Sequence, residues 1–164
     1  MSSEIIQAET PAQIETARAL FVEYGQSLGF SLCFQSFEEE LASLPGMYSP
    51  PEGRLLLAIV DGQAAGCVAL HPLESGVCEM KRLYVKPEYR VHKLGRALLE
   101  RAIEEALSIG YEKMRLDTVC GVMDAAIALY RRRGFVEIGS YRPNPMQGVL
   151  YMELDLTVQQ RQHA

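Results

Sequence analysis

The chain has 164 residues, of which 48% are hydrophobic and 23% charged, and its net charge at pH 7 is -5. This length suits one domain with a single core, and the composition excludes disordered and collagen-like chains. Its longest purely apolar run, residues 55–60, is far shorter than the roughly 20 residues that cross a bilayer, so we expect no membrane association.

The first part of the chain predicts a strand and two helices. Residues 4–8 form a weak strand candidate, and Thr10, Pro11 and Gln13 then supply an N-cap, a first-turn proline and a capping-box glutamine. Ser36 with Glu39 predicts the start of a second, shorter helix in the same way. The first helix carries an apolar stripe at steps of three and four: Ile14, Ala17, Phe21, Tyr24 and Leu28.

The middle of the chain predicts an antiparallel meander. Residues 45–53 are interpreted as a loop without regular structure. Two apolar runs follow, residues 55–60 and 64–70, and the Asp61-Gly62 turn between them indicates a hairpin. Residues 77–85 predict the third long strand of the same meander.

The second half predicts a crossover connection. Residues 94–109 have a wide apolar stripe with charged residues outside it, which is typical of an amphipathic helix packed on a sheet. A strand over 113–119 follows, so it should lie parallel to the strand over 77–85. The chain closes with a helix over 124–133 capped by Gly134 and with strands over 135–139 and 149–155. The fold class is therefore α/β, a mixed sheet of about six to seven strands with helices on both faces.

Positive charge is concentrated in one segment. Residues 81–101 contain seven basic and two acidic residues, so they carry +5 while the remainder carries -10. A local patch in an acidic chain suits a small polyanion better than a nucleic acid. Within it, residues 90–96 connect a strand to a helix, where free backbone N–H groups and the helix dipole could bind a pyrophosphate. A solvated basic loop is an equally good interpretation of this segment alone.

Several motifs in sequence order resemble the GNAT superfamily of acyl-CoA N-acyltransferases. They are K-R-L-Y-V-x-P-x-Y-R at 81–90, G-R-A-L-L at 95–99, L-D-T at 116–118, A-I-x-L-Y at 126–130 and G-F at 134–135. The resemblance covers about residues 54–155, and residues 141–154 look like a bacterial branch of the family. It implies a GNAT-like acetyltransferase domain over residues 1–156, followed by a polar, flexible tail over 157–164.

The resemblance implies an N-acetyltransferase that moves an acetyl group from acetyl-CoA to an amine by direct attack in a ternary complex. A catalytically silent acyl-CoA sensor is the alternative. The acceptor would be a small-molecule or peptide amine, and the acidic balance of the chain favours a cationic one. We expect no nucleic-acid partner, and a homodimer is compatible with the resemblance. The N-terminus shows no secretory signal, so we expect a cytoplasmic protein.

The resemblance also assigns a cofactor site. Its backbone part is the strand segment Leu83, Tyr84 and Val85, where the Val85 N–H would be an oxyanion donor. Two positions depart from the family pattern: Lys93 replaces the first loop glycine, and Met123 replaces a frequent asparagine. We expect a right-handed backbone at Lys93, since a left-handed lysine costs about 1 kcal/mol. The phosphate-binding loop comprises Arg90, Val91, His92, Lys93, Leu94, Gly95 and Arg96.

Two residues are predicted to be catalytic. Tyr130 matches the family's general acid, which protonates the departing thiolate, although its position alone is typical of a packing residue. Glu79 matches a general base, with the alternative of an exposed strand glutamate paired with Lys81 or Arg82. Asp117 is a weaker second candidate for the base.

The remaining polar residues are given structural interpretations. The cysteines, Cys33, Cys67, Cys78 and Cys120, lack metal-site spacing, so we interpret them as separate buried thiols. No histidine is paired with another ligand, so we predict no metal. Arg131, Arg132 and Arg133 are interpreted as a solvated helix end. Four residues either line an acceptor pocket or only pack: Tyr24, Phe34, Tyr48 and Asn144.

Overall fold

The computed structural model describes residues 2–28, 36–121, 123–142 and 148–158. The strands of these segments are β1 (Ser3–Gln7), β2 (Arg54–Val60), β3 (Gln63–Glu74), β4 (Val77–Val85), β5 (Lys113–Val119), β6 (Val136–Ile138) and β7 (Val149–Asp155). Their α-helices are α1 (Pro11–Ser27), α2 (Phe37–Ser43), α3 (Leu94–Ile109) and α4 (Asp124–Arg133). Each predicted helix and strand is present, and several have the predicted bounds.

The strands form one seven-stranded sheet in the order β1-β2-β3-β4-β5-β7-β6. All neighbours are antiparallel except β4 and β5, which are parallel as the crossover predicts. The hairpin between β2 and β3 turns at Asp61 and Gly62, where φ is 48° and 80°. Positive φ at both positions is the geometry that matches the twist of two strands joined by a two-residue turn.

The sheet is interrupted between β4 and β5. Their ladder extends only from the pair Val77–Lys113 to the pair Glu79–Arg115, and the strands separate beyond it. The carboxyl end of β4 therefore splays away from β5. Within the separated part, Arg82 has a φ of 63° and the register with β3 shifts, so β4 also contains a bulge.

Helices cover both faces of the sheet, as predicted. On one face α1 buries Ala17, Leu20 and Phe21, and its N-terminus has the predicted capping box between Thr10 and Gln13. On the other face α3 and α4 bury an apolar cluster against β2–β5 and β7. That cluster includes Leu98, Leu99, Ile103, Met80, Leu116, Tyr130 and Phe135.

Two local predictions in the first half are wrong. Ser36 precedes α2 but makes no capping hydrogen bond, because its φ of 56° is left-handed whereas a capping residue is normally extended. Residues 45–53 are not a simple loop, because Gly46–Tyr48 forms a 3-10 turn. Tyr48 is fully buried and packs edge-on against Phe21 at 6.0 Å between ring centroids. A long-range contact therefore orders this segment.

The cysteine interpretation is correct only in part. Cys67 and Cys78 are buried, whereas Cys120 is exposed because it follows the last β5 residue that pairs with β7. Cys33 lies outside the described residues, as does most of the predicted tail. In the described part of the chain, no helix is both long enough and apolar enough to span a bilayer. The same residues contain no group of three His, Cys, Asp or Glu side chains that could hold a metal ion.

Candidate active site

A cleft of about 920 Å³ lies where the carboxyl end of β4 meets the N-terminus of α3, the helix α4 and the end of α1. Seven of the ten residues predicted to bind the cofactor line it: Leu83, Tyr84, Val85, Arg90, Lys93, Gly95 and Arg96. The other three belong to the same loop but point elsewhere. Val91 is 82% exposed, His92 is also exposed, and Leu94 is buried in the core against β4. We call this space the donor cleft.

The backbone before α3 does not have the right-handed conformation that we expected at Lys93. Lys93 is left-handed, with φ 57° and ψ 31°, at the junction where the 3-10 helix Pro87–His92 ends and α3 begins. The Lys93 side chain makes no capping hydrogen bond to the first turn of α3. The first N–H groups of this 16-residue helix therefore remain available to an anion in the donor cleft.

Gly95 lies where the first turn of α3 borders the cleft. A Cβ atom added there would meet only Val85 Cγ2, at 4.0 Å, and no backbone atom within that distance. The protein itself therefore has room for a side chain at this position. Any larger side chain would enter the donor cleft, so a hydrogen at this position keeps the backbone accessible to a ligand.

Basic side chains dominate the charge of the donor cleft. Among the described residues that line it, five are cations, Arg90, Lys93, Arg96, Arg132 and Arg133, and one is a carboxylate, Glu100. The Arg90 Nε–H donates to the Val85 carbonyl at 3.0 Å, and Arg133 forms an ion pair with Glu100. Arg131 and Arg132 are exposed in the last turn of α4, as the interpretation of a solvated helix end predicts, and Arg132 and the half-buried Arg133 also line the cleft. Such an excess of cations suits a polyphosphate group.

The register of β4 directs one backbone N–H into the gap beside β5. The Lys86 N–H donates to the Ala65 carbonyl at 2.8 Å, and Val85 lies opposite Gly66. Since hydrogen-bonded and non-hydrogen-bonded pairs alternate in an antiparallel ladder, the Val85 N–H points away from β3. This orientation is the one that the predicted oxyanion donor requires, and the role itself stays a prediction.

Tyr130 lies beside the donor cleft rather than in its wall. Its side chain is buried with its ring 5.6 Å from that of Phe135, while the preceding residue, Leu129, lines the cleft. Burial raises the pKa of Tyr130 well above the usual range, with smaller contributions from Tyr24 and Asp117. The phenol therefore stays protonated at neutral pH, as a proton donor must. Its part in the reaction stays a prediction.

Opposite the donor cleft, the α1 face of β4 carries buried charges. We call Glu79, His71, Lys81, Asp117, Tyr141 and Arg142 the charged cluster. Glu79 is at its centre, with 1% of its side chain exposed. The alternative of an exposed glutamate is therefore wrong: β3 and the segment after β6 cover this residue.

Each oxygen of Glu79 has a partner. Oε1 lies 2.8 Å from His71 Nε2 and 3.9 Å from Lys81 Nζ. Oε2 accepts from the Tyr141 hydroxyl and lies near Arg142 Nη2, both at 2.5 Å. Burial alone would raise the pKa of Glu79, but these hydrogen bonds and cations outweigh it and lower the pKa to about 2. Glu79 is thus a stable anion at neutral pH.

Asp117, two residues beyond the last β5 residue paired with β4, has a different environment. Its Oδ2 atom is buried and has no hydrogen-bond partner among the described residues, and Arg142 Nη1 is 3.9 Å away. Burial raises the pKa of Asp117, although Lys81 and Arg142 oppose the shift. Of the two carboxylates proposed as a base, Asp117 is therefore the stronger proton acceptor.

A buried ion pair connects this region to α2. Arg82, at the bulge, donates from Nε and Nη2 to the two oxygens of Glu40 at 2.9 and 2.8 Å. The Arg82 guanidinium also lies over the rings of Phe37 and Tyr24, at 5.0 and 5.9 Å. Sequence reasoning missed these contacts, since no short-range pattern links residues about 40 positions apart.

The four candidate acceptor residues have separate outcomes. Tyr24 lines the donor cleft, whereas Tyr48 packs in the core. Phe34 and Asn144 lie outside the described residues.

Met123 lies at the start of α4 and lines the cleft, with its sulfur 3.2 Å from the Thr118 hydroxyl. The sequence analysis did not identify His71, Tyr141 or Arg142 as candidate site residues.

Comparison with known proteins gives consistent similarities. Residues 16–135 match the Acetyltransferase (GNAT) family. An uncharacterized N-acetyltransferase of Schizosaccharomyces pombe is 40% identical over 155 residues, covering 93% of this chain and 94% of that protein. An IAA acetyltransferase of Azospirillum brasilense is 40% identical over 111 residues, covering 65% and 70%. The fold resembles a PaiA N-acetyltransferase of Thermoplasma acidophilum, solved with coenzyme A, at a TM-score of 0.72 and 23% identity over 94% of this chain and 99% of that one.

Proposed function

Because the chain belongs to the GNAT acetyltransferase family and is an acyl-CoA-dependent acetyltransferase, we propose that it transfers the acetyl group of acetyl-CoA directly to an amine. The donor cleft carries this proposal. In it, the uncapped N-terminus of α3, a local excess of cations and the Val85 N–H all face one space of about 920 Å³. These groups match the phosphates and the thioester of one ligand.

Each part of the cleft has a role in this proposal. The first turn of α3 and the side chains of Arg90 and Lys93 bind the pyrophosphate. The separated part of β4 presents backbone groups along the gap, and the Val85 N–H stabilises negative charge on the thioester oxygen. Bound acetyl-CoA supplies an activated acyl group. Tyr130 donates a proton to the leaving sulfur.

The acceptor amine reaches the gap from the opposite face of β4. The charged cluster lies there, next to the segment that contains Tyr141 and Arg142. Direct attack needs donor and acceptor to be bound together, and an acceptor held beside the charged cluster while the donor occupies the cleft would meet that need without a covalent enzyme intermediate. We propose a small-molecule or peptide amine as the acceptor class.

A thiol-release screen tests this function. Purified protein with acetyl-CoA is incubated with panels of amines, amino acids and peptides, and free coenzyme A is followed over time. We expect release above background with at least one acceptor, and mass spectrometry of that acceptor should show one added acetyl group. Protein that binds acetyl-CoA in a thermal-shift assay but releases no thiol with any acceptor class would contradict the proposal.

A further inference from the structure

Glu79 and Asp117, the two carboxylates near the point where β4 and β5 separate, differ in their hydrogen bonding. Glu79 is held by His71, Tyr141 and Arg142, so both its oxygens are occupied. Asp117 has a buried oxygen, Oδ2, that no described residue hydrogen-bonds. A buried polar atom without a hydrogen-bond partner lowers the free energy of unfolding. Its presence in a native structure therefore calls for an explanation, such as a catalytic role.

The position of Asp117 suits a group that contacts the reacting atoms. β5 stops pairing with β4 at Arg115, so Asp117 lies where the two strands have separated. Its neighbour Leu116 points into the core on the α3 face, so alternation along β5 places Asp117 on the face of the charged cluster. Burial raises the pKa of Tyr24 to about 12, and the charge of Asp117 adds to that effect. Tyr24 lines the donor cleft, whereas Asp117 is not among the described residues of its lining.

We propose that Asp117 is the base that accepts the proton of the acceptor amine, and that Glu79 is a positioning residue that fixes Tyr141 and Arg142 beside it. This inference rests on the proposed acetyltransferase function. The acceptor ammonium gives one proton to Asp117 Oδ2, and the nitrogen lone pair then forms a bond to the acyl carbon. The carbon–sulfur bond breaks as Tyr130 protonates the sulfur, Tyr130 regains a proton from the nitrogen, and Asp117 releases its proton to solvent.

Electrostatics favour this division of roles. Glu79 has a pKa near 2, far below the value of about 10.4 for an alkylammonium, so the free energy of proton transfer between them is strongly unfavourable. Burial raises the pKa of Asp117, which makes it a better base than Glu79, while the nearby cations Lys81 and Arg142 oppose that shift. The titratable and charged groups near Asp117 come from β4, α1, α4, β7 and the segment after β6: Glu79, Lys81, Arg82, Tyr24, Tyr130, Tyr151, Tyr141 and Arg142.

The kinetic test compares Asp117→Asn with Glu104→Gln, which alters an exposed carboxylate on α3. With an acceptor from the screen, we expect kcat of Asp117→Asn to fall by about 10²- to 10⁴-fold while the thermal shift with acetyl-CoA stays normal. The rate of this variant should rise with pH across the neutral range, because only the free amine reacts. With an acceptor analogue whose amine is unprotonated at neutral pH, the loss of kcat in Asp117→Asn should be far smaller. Equal losses for both acceptors would overturn the proposal.

A second test needs neither an acceptor nor a variant. Carbon-13 NMR of the folded protein, with the Asp117 carboxyl assigned by through-bond correlation, measures its titration directly. We expect a midpoint above the usual aspartate value of about 3.9, with Glu79 still ionised at that pH. A midpoint at or below that value would overturn the proposal. If wild-type protein acetylates nothing, the proposed function fails, whereas an active wild type matched by Asp117→Asn removes only this inference.

Discussion

The donor cleft and the charged cluster lie on opposite faces of β4, but they are built from different groups. The cleft depends on backbone: a helix N-terminus, a left-handed Lys93 and an inward-facing Val85 N–H. The cluster depends on side chains from β3, β4, β5 and the segment after β6. A backbone site tolerates an unusual residue such as Lys93, whereas a side-chain site changes with each substitution. Variants on the two faces should therefore fail in different ways.

The largest effect is expected in the donor cleft. Gly95→Leu should abolish acetyl-CoA binding, because its side chain enters the space that the ligand needs while meeting no protein backbone. At 100 times the dissociation constant, acetyl-CoA should stabilise wild-type protein by about 2.7 kcal/mol, which raises Tm by roughly 6 to 10 °C. The variant should show no shift. Gly139→Leu, at a glycine with open space around it, is the matched control and should keep the shift.

Tyr130→Phe tests whether a buried residue at the edge of the cleft acts on the reaction. The phenyl ring keeps the contact with Phe135, so folding and acetyl-CoA binding should be normal. Loss of the hydroxyl should lower kcat by about 10- to 10³-fold with little change in the KM for acetyl-CoA. Steady-state kinetics with an identified acceptor measure this. A normal kcat, where chemistry limits the rate, would leave Tyr130 with a packing role only.

Glu79→Gln should change how the free energy of unfolding depends on pH. The folded-state pKa of about 2 lies below the usual glutamate value, so ionised Glu79 contributes stability above about pH 4.3 that is lost as pH falls toward 2. The contribution is about 3 kcal/mol at neutral pH. Urea unfolding from pH 7 to pH 2 should show wild type losing that much more than Glu79→Gln. Parallel curves for the two proteins would show that the hydrogen bonds to Glu79 do not stabilise the fold.

The smallest effects are expected at Lys93, where two variants separate the contribution of the backbone conformation from that of the side-chain charge. Lys93→Gly should raise the free energy of unfolding by about 1 kcal/mol, because glycine adopts the left-handed conformation without steric cost. It should also weaken acetyl-CoA binding by about two- to fivefold through loss of an exposed cation. Lys93→Ala keeps the strain and removes the charge, so it should weaken binding equally without stabilising. Stabilisation by both variants would assign the effect to charge.

The regular elements were predictable because their signals are local. The stripe over 94–109 and the tight turn at Asp61-Gly62 fix an amphipathic helix and a hairpin with no information from elsewhere in the chain. The parallel pairing of β4 with β5 then follows from connection length and handedness. Seven residues of the donor cleft were predictable from the family resemblance, since one continuous segment supplies them, whereas α1 and α4 supply much of the remaining lining.

The charged cluster was not predictable, because its contacts connect distant parts of the sequence. The hydrogen bond from Tyr141 to Glu79 joins residues 62 positions apart, and no periodicity reports it. Lys93 shows the opposite problem: local preference disfavours a left-handed lysine, but the junction between two helical segments has one. Tyr48 is similar, since burial against Phe21 orders a segment whose composition indicates a loop.

The short ladder between β4 and β5 also has a mechanical consequence. Three residue pairs at one end join a four-stranded half-sheet to a three-stranded one, so the other end can widen or narrow without breaking interstrand hydrogen bonds. Tyr141 and Arg142 follow β6 in the smaller half, and Glu79 belongs to the larger. Their contacts therefore bridge the two halves, so the ionised Glu79 carboxylate holds the separated parts of the sheet together.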